Sequence, residues 1–190
     1  MDILVLYYSH TGRTRKVAEA LARDLGADLR EIECPAYRRW YGPLAIFLDI
    51  LTGHRPHVQP LGSPGSYYDL VIVGGPVWAA QAAPPVMRAL EECGRHFRRT
   101  GLFVTCRGTN RGSRPEDAIT EMSISLAGRP VGTRIFPAAE IASGAFEIGV
   151  AEFSASLRAA PAAGGATRAH GGGAGRNPLD LRSALASRRA

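Results

Sequence analysis

Three short stretches of the chain are apolar without a break: Ile3 to Tyr8, Leu70 to Val73 and Leu102 to Val104. Strands covered on both faces of a sheet read this way, so the pattern predicts three central parallel strands. Two further stretches are diluted by polar residues: Leu29 to Glu33 alternates apolar with charged positions, and Val131 to Phe136 is interrupted by Gly132, Thr133 and Arg134. Such strands meet water on one face or one edge, and they are predicted to close the sheet on either side. Between the first two strands, Val17, Ala18, Leu21, Ala22 and Leu25 recur at helical spacing, with Arg15, Lys16, Glu19 and Arg23 opposite and Gly26 as a stop. Further helices are predicted at about Pro43 to Leu51, Pro84 to Cys93, Pro115 to Leu126 and Phe146 to Leu157. Several open on proline, whose fixed φ suits a first helical turn.

Five strands alternating with helices predict a doubly wound α/β domain of three layers, α/β/α. With the apolar strands inside, the order of its five-stranded parallel sheet is 2-1-3-4-5. The order reverses between strands one and three, and ligands of such sheets bind beyond the carboxyl ends of the strands at that switch. The loops concerned begin at Ser9, Gly74 and Thr105. This domain is expected to span residues 1–160. The remainder, Pro161 to Ala190, is rich in Ala, Gly and Arg around Gly171-Gly172-Gly173 and has too few large apolar residues to pack, so it is expected to be a disordered tail.

Composition changes this picture little: 45% of the 190 residues are apolar and 21% charged, as in ordinary globular chains. The net charge of +6 looks like a nucleic-acid signal until it is located. Arg168, Arg176, Arg182, Arg188 and Arg189 stand against Asp180 alone in the tail, so residues 1–160 are only mildly basic. Arginine also outnumbers lysine 22 to 1 throughout, a bias that points to coding-sequence composition more than to a binding face. No nucleic-acid partner is expected. Neither is a membrane partner, since no apolar run approaches the ~20 residues of a bilayer span. Cys34, Cys93 and Cys106 are too few and too widely spaced for a disulfide framework or a zinc cluster, which suits reduced thiols and a cytoplasmic location. His54 and His57 lack a third ligand, and no metal site is expected.

The loop after the first strand, Ser9-His10-Thr11-Gly12-Arg13-Thr14, runs directly into a helix. It places hydroxyls and unpaired N–H groups at the positive end of a helix dipole, a setting that suits a phosphate. Gly12 permits a tight turn, and no Gly-Lys-Ser/Thr follows, so this is not a nucleoside-triphosphate loop. The alternative is ordinary capping, for which Ser and Thr are also preferred. After the third strand, Pro76, Val77, Trp78 and Ala79 lead into small residues as far as Ala83. A tryptophan in such a loop either stacks on a flat ligand or fills the core.

These two segments resemble the flavodoxin-like family. Ser9 to Thr14 matches that family's [ST]-x-T-G-x-T fingerprint for the phosphate of FMN, and Tyr68 to Trp78 looks like its third strand and flavin loop, with the Pro-Val-Trp of one bacterial branch. The likeness runs from Ile3 to about Leu157, with the motifs about 60 residues apart in the family's order. The resemblance implies FMN as cofactor, held by Ser9, His10, Thr11, Gly12, Arg13, Thr14, Pro76, Val77, Trp78, Ala79, Thr105, Cys106, Arg107 and Gly108. It implies an FMN-dependent oxidoreductase in which the flavin does the redox chemistry and no side chain is a catalytic acid or base.

Two departures shape the functional expectation. Thr105-Cys106-Arg107-Gly108-Thr109-Asn110 has arginine where related chains usually carry glycine, either a guanidinium that stabilises a reduced flavin or a plain surface arginine. It also has no aromatic residue to cover the ring, and the domain lacks the acidic surface of a shielded electron carrier. An enzyme passing electrons from NAD(P)H to a quinone-like small molecule is therefore expected ahead of a one-electron carrier docking a redox-partner protein, or a flavin-less interaction module. Tyr37-Arg38-Arg39-Trp40-Tyr41 either covers the open face, from this chain or from the second subunit of a homodimer, or packs against the sheet.

Overall fold

The computed structural model describes residues 1–62, 67–108 and 114–160. The expectations for the 161–190 tail and for Thr109 and Asn110 fall outside these. In chain order the elements are β1 (Ile3–Tyr7), α1 (Arg13–Leu25), β2 (Asp28–Glu31), α2 (Gly42–Thr52), β3 (Leu70–Trp78), β4 (Gln81–Ala82), α3 (Pro84–Cys93), β5 (Thr100–Cys106), α4 (Pro115–Ile124), β6 (Gly132–Pro137), α5 (Ala138–Ser143) and α6 (Phe146–Ala159). Short 3-10 turns occupy Pro35–Arg38 and Gly94–His96.

The main sheet has the order β2-β1-β3-β5-β6, all parallel, with β4 attached to β3 as an antiparallel arm. Apart from that arm, this is the five-stranded order expected, with the apolar strands β1, β3 and β5 inside and the diluted β2 and β6 at the edges.

Alternation along each central strand divides the core in two. Leu4, Leu6, Val71, Val73, Leu102 and Val104 face α3 and α4, meeting Val86, Met87, Leu90, Ala118 and Met122. Ile3, Val5, Leu70, Ile72 and Phe103 face the other way onto Val17 and Leu21 of α1 and onto Phe146, Val150, Phe153 and Leu157 of α6. Each strand residue thus buries its side chain against a helix, which accounts for the unbroken apolar runs.

The third strand is longer than its apolar run. Gly74-Gly75-Pro76 reads as a turn, yet the strand continues through it. A Cβ on Gly74 would collide with the Phe103 ring and one on Gly75 with Val86, so these glycines allow close packing rather than a bend. Pro76 lies beyond the end of β1, where Tyr7 pairs with Gly74, and on that side it only accepts, its carbonyl taking the Ala83 N–H (3.1 Å). The extension carries β3 past the sheet, with Pro76 paired to Thr105 of β5.

Candidate functional site

Register alone brings the three loops together. Tyr8 N–H donates to Gly74 O (3.0 Å) where β1 gives way to the Ser9–Thr14 loop, and Pro76 lies beside Thr105 where β5 ends. Between these ends is an open cavity of about 200 Å³. It is lined by His10, Thr11, Arg13 and Thr14, by Pro76, Val77 and Trp78, and by Thr105, Cys106 and Arg107. Ten of the fourteen residues singled out from the sequence thus face one space. Ser9, Gly12, Ala79 and Gly108 do not line it.

Ser9 and Gly12 shape the loop. The Ser9 hydroxyl oxygen accepts the N–H groups of Gly12 (3.1 Å) and Arg15 (3.3 Å), so capping is this residue's observed role. Gly12 has φ +85°, a conformation that strains any other L residue, and its carbonyl accepts the Lys16 N–H (3.1 Å) to begin α1. No acidic side chain sits in the first turn of α1, which leaves its positive end uncompensated toward the cavity.

Thr14 has a different role. It is buried, and its hydroxyl lies 2.8 Å from that of Thr105, also buried, across 91 residues of sequence. One hydroxyl donates to the other, so a single proton of the pair remains to be directed elsewhere, and both side chains border the cavity. The bond ties the first loop to the end of β5.

Trp78 is half-buried at the end of β3. It joins the edge of the core, and it also lines the cavity. Its ring meets Tyr8 and His10 edge-on at centroid distances of 5.9 Å each, and Tyr37 tilted at 6.2 Å. Burial, the largest cause in each case, pushes the Tyr8 and Tyr37 hydroxyls well above the usual phenol range, and Tyr37 also donates to Asp49 (2.7 Å). Both tyrosines are therefore neutral supports. The contribution of Tyr8 is missed by a reading of motifs alone, because it looks like one more apolar strand residue. Its alternation with Leu4 and Leu6 is the signal that places it on the Trp78 side.

After Trp78 the chain reverses through Ala79 and Ala80, with φ of +48° and +65°, and Gln81 pairs back onto Trp78. Two left-handed central residues match the type I′ hairpin, for which Asn and Gly are the favoured pair. Alanine there costs about 1–2 kcal/mol per residue. Without an Asn-Gly signal, the sequence does not predict β4. The hairpin is fixed from outside: Ala82 N–H donates to Glu121 Oε2 (3.0 Å), while Glu121 Oε1 accepts from Arg55 Nη2 (2.8 Å).

Cys106 is buried on β5 and Arg107 is exposed at the cavity mouth. A second cavity of about 250 Å³ adjoins the first across His10, bordered by Cys34, Tyr37, Arg15 and Glu31. Arg15 is paired with Glu31 (2.7 Å), and burial pushes the Cys34 thiol up, so this recess presents no activated nucleophile. His54 is engaged with Asp49 (2.8 Å), and no group of three potential metal ligands occurs among the described residues. No described helix is long and apolar enough to cross a membrane.

The sheet order, the three converging loops and the switch between β1 and β3 define a flavodoxin-like α/β protein. No protein-family model and no curated protein matches the chain. Solved structures do. A flavoprotein from Lactobacillus acidophilus, in complex with FMN, is 26% identical with a TM-score of 0.58, over 75% of this chain and 97% of that one. The same L. acidophilus flavoprotein in its apo form superposes with a TM-score of 0.54, covering 74% of this chain and 95% of that one at 26% identity. A Streptococcus pneumoniae flavodoxin, 15% identical, shares the fold with a TM-score of 0.51 over 84% and 99% of the two chains.

Proposed function

We propose that the chain binds FMN in the cavity at the ends of β1, β3 and β5 and acts as an oxidoreductase that moves electrons from a nicotinamide nucleotide to a quinone-like small molecule. The observation that carries the proposal is the joining of the fingerprint loop to the end of β5 through Thr14 and Thr105, beside Trp78. The L. acidophilus relative with FMN supports the choice of cofactor. The residues fit the group. The uncompensated start of α1, with Thr11, Arg13 and the spare proton of the Thr14–Thr105 pair, suits a phosphate dianion. The half-buried Trp78, held edge-on by Tyr8 and His10, suits a flat aromatic ring.

When bound, FMN supplies the redox chemistry, and the chain binds, orients and screens it. At about 200 Å³ the cavity is a partial cleft, adjoined across His10 by the recess of about 250 Å³, which supports a ring with one face left open. No aromatic side chain stands in Thr105 to Gly108 to close that face, which favours direct reaction with a diffusing hydride donor over a shielded carrier. An anaerobic titration of the FMN-loaded protein tests this. Rapid bleaching by NADPH and recovery on adding a quinone are expected, whereas a flavin that ignores NADPH but yields to a chemical reductant would make the protein a carrier. Arg107, exposed at the mouth, would hold positive charge beside a flavin bound in the cavity, which would stabilise the negative charge gained on reduction. Arg107→Gly is expected to lower the midpoint potential by on the order of tens of millivolts, measured by equilibration with a reference dye. An unchanged potential would leave Arg107 a surface residue.

A further inference from the structure

The inner face of α2 is accounted for. Gly42 is buried, and a Cβ there would strike the Tyr37 carbonyl. Ala45 and Ile46 pack on the core, and Asp49 accepts the Tyr37 hydroxyl. The outer face is not. Leu44 (61% exposed), Phe47 (60%), Leu48 (46%) and Leu51 (70%) lie at i, i+3, i+4 and i+7, one continuous stripe, and Trp40 (93%) stands just before the helix. A helix apolar on both sides is normally covered on both sides. Asp49 is the only charged residue of Gly42–Thr52, and it points inward, so the stripe carries no charge.

We propose that a second copy of this chain covers the stripe, giving a two-fold dimer in which α2 packs against its own symmetry mate. Three features favour this occupant. The five side chains expose roughly 700 Å² of apolar surface, close to the ~800 Å² that each partner contributes to a stable interface and above the patches usual on monomers. A ridge spaced i, i+3, i+4, i+7 can pack into the matching groove of an identical helix, as two-fold contacts require. Finally, the absence of charge matches the core of a homodimer interface. A lipid surface fits less well: Arg38 and Arg39 precede Trp40, but Gly42–Thr52, which carries the four-residue stripe, has no Lys or Arg along its length. The five arginines of residues 161–190 would likewise meet no acidic group on this face.

The interface would abut the candidate site without contributing to it. Gly42 N–H donates to Arg39 O (2.8 Å) directly after the 3-10 turn that carries Tyr37, whose ring packs on Trp78.

Sedimentation velocity of the full chain across the micromolar range tests the proposal. A species of twice 20.3 kDa is expected. Phe47→Glu combined with Leu51→Glu, at positions exposed enough to leave folding intact, is expected to raise the dimer dissociation constant at least tenfold with an unchanged far-ultraviolet circular dichroism spectrum. Leu44→Lys should do the same independently. A wild-type chain that stays at 20.3 kDa, or substituted chains that stay dimeric, would overturn the proposal. So would a monomer that pellets with phosphatidylglycerol vesicles through the same three side chains. FMN binding is not needed for any of these readings.

Discussion

Thr14→Val is expected to weaken FMN binding by roughly 10- to 100-fold, the value of one hydrogen bond to a charged phosphate. The same substitution leaves the buried Thr105 hydroxyl without its 2.8 Å partner, which costs about 1–3 kcal/mol of folding stability. The two effects separate in the double variant. Removing both hydroxyls at once leaves no orphaned polar group, so Thr14→Val with Thr105→Val should recover most of the stability while affinity stays low. Flavin fluorescence titrations and urea unfolding of the apo protein read the two quantities independently. If affinity returned together with stability, the hydroxyl pair would be a structural tie and no part of the phosphate site.

Trp78→Ala is expected to have a comparable effect through a different cause. The indole packs against Tyr8, His10 and Tyr37 and the edge of the core, and truncating a half-buried aromatic costs about 2–4 kcal/mol. It would also remove the flat surface offered to the ring, worth about 1 kcal/mol or more of binding by stacking alone. Trp78→Phe distinguishes the roles: an aromatic of smaller area should restore most of the affinity but only part of the stability. If Trp78→Ala left flavin affinity unchanged in a folded protein, Trp78 would be a core residue only.

The long apolar runs made the fold legible, because a strand buried on both faces has no other residue choice. The edge strands were legible for the opposite reason, since β2 and β6 retain charge where they meet water. What was not legible depended on contacts between distant residues. Gly74-Gly75-Pro76 reads as a turn until the Phe103 ring on one side and Val86 on the other are known. The Ala79-Ala80 reversal uses residues that carry no turn signal, and Glu121 of α4 holds Ala82 beside it. In the candidate site, the fingerprint loop was readable because its glycine and hydroxyls sit at fixed offsets before a helix. The division of labour within it was not: Ser9 caps, while Thr14 reaches Thr105, and only the register of β5 beside β3 assigns those parts. The outer face of α2 shows the limit of periodicity. Its spacing announces a helix and says nothing of which of two apolar faces meets the core.

The central claim is that the loops after β1, β3 and β5 form one FMN site, and the most direct test is an FMN titration of the purified full chain by flavin fluorescence. The expected result is saturable binding of one FMN per chain with quenched emission, weakened at least tenfold by Thr14→Val. No quenching at any concentration, or binding indifferent to both Thr14→Val and Trp78→Ala, would contradict it.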